Sequence, residues 1–323
     1  MKLAGKSGGI GGYFSLELPS RPWRIHSEAY KFQSARAAFC ALLINTRPSG
    51  VWVPKYICNS MLSPMRSLGI RPIFYDLDSC MGMGESVKPS ADELVLYVNY
   101  FGVGKAQVDR VCGLIDPAQL VIDFSQSYFS DRVDCLASIY SPRKFFGVPD
   151  GGLLATDLEL GEFPLDYGSV GRCSHLLKRL DSGPESGYGD FQVSERSLLD
   201  SSPKMMSALT QSLLSSIDYD QVRCRRNANF SYLHKNLWRS NMFKVDAENV
   251  DGALCYPFLS TLVGLREKLI LNRVYIPTYW PEVLARVSSE SIEYSMTTYC
   301  LPLPCDQRYT ESDMSFISSV VAV

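Results

Sequence analysis

Short, continuously apolar runs alternate with stretches of helical periodicity through the first half of the chain. The runs at 51–54, 72–76, 94–99 and 120–123 are four to six residues long and rich in Val, Ile, Leu and aromatics. Such runs, buried on both faces and separated by helices, predict a parallel sheet covered on each side. Between them, residues 34–44 read as a helix with Ser34 as N-cap, and helices are predicted near 59–68 and 107–114. In such a sheet ligands bind beyond the carboxyl ends of the strands, where Asn99 and Asp123 fall.

The texture changes after the run that begins at Gly152. Residues 181–190 combine Ser, Gly, Pro and acidic side chains, a composition that predicts a flexible polar loop. Met206, Leu209, Leu213 and Ile217 share one helical stripe, and a longer helix is predicted from about Asp220 to Arg239. The remainder predicts a βαβ-like alternation: a strand at 253–258, a helix near 265–272, a strand at 274–276 and a closing helix from Ser312. The expected organisation is a tail over 1–12, a large domain over 13–205 and a smaller one over 206–323. The Gly5-Lys6-Ser7 triplet lacks the upstream glycine and strand of a phosphate loop and reads as tail.

Composition narrows the classes. With 46% hydrophobic and 20% charged residues over 323 positions, the chain can bury a large core. A net charge of −2 gives no electrostatic case for nucleic acid or an anionic membrane. No apolar run is long enough to span a bilayer, and the N-terminus shows no signal-peptide core. The ten cysteines form no Cys-x-x-Cys pair, so buried free thiols in a reducing cytoplasm are expected. The three histidines are far apart, so no metal site is expected.

Two residues suggest chemistry. Asp123 ends an apolar strand, where a carboxylate needs a cationic partner to remain charged. Lys144 lies just past another apolar run, ahead of the Gly151-Gly152 pair, with Arg143 beside it. A neighbouring cation and a dry setting would both favour a nucleophilic amine. A pyridoxal-phosphate (PLP) enzyme needs this combination: a carboxylate for the pyridine nitrogen and a lysine for the aldehyde. A strand-end Asp can equally cap the following turn, and two basic neighbours can equally lie on a surface. Gln126 could donate to the cofactor's phenolic oxygen. Ser34 and Arg36, at a helix start, could hold a phosphate, and Ser138 and Ser141 could add hydroxyls.

The order of these parts resembles the DegT/StrS-type sugar aminotransferases, which are fold type I PLP enzymes. Ser34-Ala-Arg-Ala-Ala38 is similar to their Ser-Gly-Thr-Ala-Ala helix start, and Val53-Pro-Lys-Tyr-Ile-Cys58 to the strand end that follows it. Gly69-Ile-Arg-Pro-Ile-Phe-Tyr-Asp76, Val98-Asn-Tyr-Phe-Gly102 and Ile122-Asp-Phe-Ser-Gln126 resemble the family's next segments. Lys144-Phe-Phe-Gly147 with Asp150-Gly-Gly152 resembles its lysine segment. Arg226-Asn227, residues 274–281 and Leu301-Pro-Leu-Pro304 continue the likeness, which covers about residues 13–320.

That resemblance implies an α/β fold: a mostly parallel seven-stranded sheet between helices, plus a smaller C-terminal α/β domain. It implies PLP joined to Lys144, with Asp123 on the pyridine nitrogen and Gln126 near the phenolic oxygen. Ser34, Ala35 and Arg36 would hold the phosphate, and Tyr56 or Cys58 would lie over the ring. It further implies a homodimer and transfer of an amino group from an amino acid such as glutamate to a nucleotide-linked keto sugar. A PLP lyase or dehydratase, or a non-catalytic relative, remains an alternative. Departures are visible: Ala35-Arg36 replaces Gly-Thr, Cys58 replaces an aromatic, and the cross-dimer Asn-Tyr-Arg-Met-Ser segment is reduced to residues 202–207.

Overall fold

The computed structural model describes residues 12–200 and 202–322, so the expected tail and its Gly5-Lys6-Ser7 triplet lie outside the described residues, Gly12 excepted. The first half builds β1 (Tyr30–Phe32), α1 (Ala35–Thr46), β2 (Gly50–Pro54), α2 (Asn59–Ser67), β3 (Arg71–Tyr75), β4 (Glu93–Val98), α3 (Lys105–Cys112), β5 (Leu120–Asp123), β6 (Ala137–Tyr140) and β7 (Gly152–Ala155). These strands form one seven-stranded sheet in the order β1-β7-β6-β5-β4-β2-β3. Every pair is parallel except the two made by β7. Each residue of β4, β5 and β6 is buried, as strands covered on both faces require. Full burial of each Val, Leu or Ile there contributes about 1.5–3 kcal/mol.

Local chemistry places the strand ends. Ser34 is extended, and its Oγ accepts the Ala37 N–H at 3.1 Å, so α1 begins where β1 stops. The helix ends at Arg47, in the left-handed region at φ 46°, with its N–H on the Leu43 carbonyl. Gly152 is a steric necessity. A Cβ there would lie 2.0 Å from the Ser34 carbonyl carbon and 2.3 Å from the Ala35 nitrogen. The start of β7 therefore runs directly against the first turn of α1, pinned by the Gly151 N–H on the Gln33 carbonyl at 2.6 Å.

The second half departs from expectation at three points. Residues 181–190 are not a loop: α4 (Ser174–Ser182) and α5 (Pro184–Ser197) make a helical hairpin. Gly183, at φ 92°, turns the chain, and Pro184 takes a first-turn position where its missing N–H costs nothing. The stripe from Met206 to Ile217 is not one helix. Only α6 (Ala208–Leu214) forms, because the strand-like 204–206 segment hydrogen-bonds to Lys31 and Gln33 instead. After α7 (Tyr219–Leu237), the chain forms β8 (Tyr256–Leu259), α8 (Leu265–Leu271), α9 (Ile292–Tyr299), β9 (Cys300–Leu303) and α10 (Glu311–Val321). The expected strand at 274–276 is irregular, and β8 pairs antiparallel with β9, so no βαβ unit is present here. A second hydrophobic core, including Phe230, Leu233, Leu269, Leu303 and Met314, lies among α7, α8, β8, β9 and α10. All ten cysteines are free, and Cys40, Cys135, Cys255, Cys300 and Cys305 are buried.

Candidate active site

Asp123 is the last residue of β5, flanked in register by Val98 of β4 and Ile139 of β6. It is 5% exposed, and one carboxylate oxygen accepts the Ser125 N–H at 2.7 Å. No ion pair neutralises it among the described residues. A buried carboxylate without a cation suits a ligand that brings an N–H. Gln126, at the far end of the same turn, accepts the Phe101 N–H at 2.6 Å. Its Nε2 is buried with no acceptor, which leaves a donor for an oxygen the chain does not supply.

Lys144 closes a short 3-10 turn (Pro142–Lys144) after β6, the strand next to Asp123. Cys58, just before α2, senses both charges. Burial pushes its thiol pKa up, Lys144 and the Met61 N–H pull it down, and Asp123 pushes it up again. Asp123 and Lys144 both lie within electrostatic reach of Cys58. The dry, cation-flanked setting expected for Lys144 is absent in the single chain. Lys144 is exposed, and Arg143 is paired with Glu195 of α5.

The first turn of α1 carries the residues that could hold an anion. The Arg36 amide has no intrahelical partner, as at any helix start, whereas the parallel bridge between Ser34 and Gly151 takes up the Ala35 amide, and Gly152 keeps side chains away from this turn. The Ser34 hydroxyl receives Ala37 and retains its own proton to donate. Arg36 is partly committed: Nε donates to the Ser60 carbonyl at 3.1 Å and Nη1 to the Leu198 carbonyl at 2.6 Å. Burial lowers its pKa, offset by the nearby Cys58 and Glu195. Ser141 is buried, and its hydroxyl makes no hydrogen bond among the described residues.

Two expected site residues stand apart. Ser138 pairs in register with Ile122, so it faces away from Asp123, and its hydroxyl lies 3.4 Å from the Cys135 sulfur. Tyr56 is fully buried against Tyr100 and Trp280, and its hydroxyl donates to the Tyr279 carbonyl at 3.2 Å. Its ring belongs to an aromatic cluster with Tyr100 and Trp280. Glu195 and the Leu198 carbonyl, which hold Arg143 and Arg36, lie in and just past α5, a helix not expected from the sequence.

No family model matches the chain, and no curated protein matches it. Solved structures do. A DegT DnrJ EryC1 StrS aminotransferase from Brucella abortus superposes with a TM-score of 0.60 at 14% identity, covering 91% of this chain and 84% of that one. The fold is that of the sugar aminotransferases. It matches the PLP fold type I architecture expected from the sequence, with a seven-stranded, mostly parallel sheet. An E. coli GDP-4-keto-6-deoxy-D-mannose-3-dehydratase with bound hydrated PLP gives 0.62 at 14% identity, covering 91% and 86%. Ntda from Bacillus subtilis with bound cofactor PMP gives 0.63 at 15% identity, covering 91% and 73%.

Proposed function

We propose that this chain is a PLP-dependent aminotransferase that moves an amino group from an amino acid, glutamate by preference, to a nucleotide-linked keto sugar, in amino-sugar or surface-polysaccharide biosynthesis. The observation that carries this reading is the pairing of a buried, uncompensated Asp123 with Lys144 on the next strand's turn, both within electrostatic reach of Cys58. The orphaned Gln126 Nε2 and the open Arg36 amide at the start of α1 fit the same cofactor.

Bound there, PLP would supply an electron sink for the substrate carbon. Asp123 would hold the pyridine nitrogen's proton. The Arg36 amide, with the hydroxyls of Ser34 and Ser141, would anchor the phosphate. Lys144 Nζ would hold the cofactor's aldehyde carbon and carry the proton to and from the substrate carbon. The likeness to a PLP-bound dehydratase supports a second reading, removal of a sugar hydroxyl by the same site.

A homodimer is part of the proposal. Tyr167, Val170, Leu177, Leu180, Tyr188 and Val193, on or just before the α4–α5 hairpin, are exposed apolar side chains that a second copy would cover. Among the described residues no helix is long and apolar enough to cross a membrane.

The test is a half-reaction. Purified protein loaded with PLP is mixed with glutamate and the bound cofactor extracted. Recovery as the pyridoxamine form supports the aminotransferase. Recovery of unchanged PLP across a panel of amino donors would refute it, and release of water from a keto sugar would favour the second reading.

A further inference from the structure

Arg226, on α7, is 1% exposed, yet it forms no ion pair among the described residues. Its donors go to uncharged oxygens: Nε to Gln307 Oε1 at 2.8 Å, Nη1 to the Ala253 and Leu254 carbonyls at 2.8 and 3.4 Å, and Nη2 to the Phe145 carbonyl at 3.3 Å. Gln307 Nε2 donates to that same Phe145 carbonyl at 2.6 Å. The three groups close a ring, and its chemistry fixes the amide's orientation: an arginine can only donate and a carbonyl only accept. The guanidinium carbon also lies 4.5 Å from the Phe145 ring centre.

Burying a cation without a direct ion pair is costly even with Asp306 in electrostatic reach, and a side chain needed only to fill this volume would be apolar. The object held is informative. Phe145 follows Lys144 directly, and the Phe145 and Phe146 amides both bond the Pro142 carbonyl at 2.9 Å. The turn bearing Lys144 is therefore gripped from within by Pro142. From the other side it is held by Arg226 of α7 and by Gln307, in the loop after β9.

We infer that Arg226 and Gln307 form a clamp on the Phe145 peptide that positions Lys144, so that the placement of its amine depends on how the C-terminal core seats against the sheet. Both are positioning residues, acting on Lys144 through its neighbour's carbonyl. The purpose assigned to Lys144 rests on the PLP reading, whereas the clamp is a property of the chain's own hydrogen bonds.

Gln307→Glu tests this with little expected loss of stability. The carboxylate still pairs with Arg226, but it withdraws the closest donor from the Phe145 carbonyl and faces it with lone pairs. Arg226→Lys is the second variant, since it keeps the charge and loses the fork. Two readouts are taken on the full chain: amide hydrogen exchange over residues 144–148 without cofactor, and the PLP concentration that half-saturates borohydride-fixed labelling of Lys144.

The clamp predicts that Gln307→Glu melts within a few degrees of wild type while exchange at 145–148 quickens about tenfold and half-saturation rises about tenfold, the scale of one lost hydrogen bond. It is overturned if the folded variants keep both quantities within about twofold of wild type. Faster exchange spread evenly over the C-terminal core, with none specific to 144–148, also overturns it. If wild type shows no labelling of Lys144, the PLP reading falls and the exchange measurement alone judges the clamp.

Discussion

Replacing Gly152 by alanine adds one methyl group at the point where β7 passes beneath α1. That methyl would sit 2.0, 2.2 and 2.3 Å from the Ser34 carbonyl carbon, its oxygen and the Ala35 nitrogen. Ordinary contact begins near 3.4 Å, so strand and helix start must part by about 1.4 Å. The obstructing atoms are all backbone, and no side chain can rotate away. Overpacking in a core usually costs 1–3 kcal/mol, and displacement of backbone on this scale places the cost at or above about 3 kcal/mol. The neighbouring Gly151 is the control. Its φ of 133° strains any side chain, but its added Cβ would meet nothing nearer than 3.4 Å, so alanine there costs roughly 1–3 kcal/mol. Thermal melts of both variants, followed by circular dichroism, read the difference. For a sheet domain of this size about 3 kcal/mol corresponds to a fall of roughly 6–12 °C, and Gly152→Ala should melt below Gly151→Ala. A Gly152→Ala protein melting within about 2 °C of wild type would mean that the close approach of β7 to α1, and the anion cradle built on it, is wrong.

Asp123→Asn should keep the fold, since an amide oxygen can still accept the Ser125 N–H, but weaken PLP binding about 10–100-fold through loss of a charge-assisted bond; equal affinity would refute the assignment. Arg36→Ala strips donors from the Ser60 and Leu198 carbonyls and should destabilise by about 1–3 kcal/mol in urea unfolding; an unchanged midpoint would count against the tie between α1 and the end of α5. At the start of α5, Glu185 is held down to a pKa of about 2 by the Tyr275 hydroxyl, its own backbone N–H and Arg273. A depressed acid stabilises above its unfolded value and loses that contribution as pH falls through its folded one. Amide protection in the first turn of α5 should therefore persist at pH 4 and fade towards pH 2, and Glu185→Gln should abolish that dependence; an identical profile in the variant would exclude the latch.

The parallel strands β2 to β5 were legible because they are apolar runs with few alternatives, and α1 because Ser34 precedes an alanine-rich stretch that only a helix satisfies, whereas the three-residue β1, with Lys31 at its centre, carries no such run. The α4–α5 hairpin was not. Its glycines and serines read as loop, and only tertiary packing, with Gly183 supplying the turn, makes it helical. The 274–276 segment failed in the opposite way: its apolar residues are buried at Val274 and Ile276, but no neighbouring strand offers a ladder. At the site, Asp123 and Lys144 were visible as strand-end polar residues. The orientation of Ser138 depends on pairing register, and the burial of Tyr56 depends on Tyr100 and Trp280, neither adjacent in sequence. Glu195 and Gln307 act across long separations in the chain and carry no local pattern.

The central claim, that Asp123 and Lys144 frame a PLP site, is tested most directly by borohydride reduction of the protein incubated with PLP, followed by peptide mapping. The account predicts an absorbance band in the visible edge that reduction abolishes, with the phosphopyridoxyl mass on the peptide containing Lys144 and absent from Lys144→Ala. Label scattered over other lysines, or no label at saturating PLP, would contradict it.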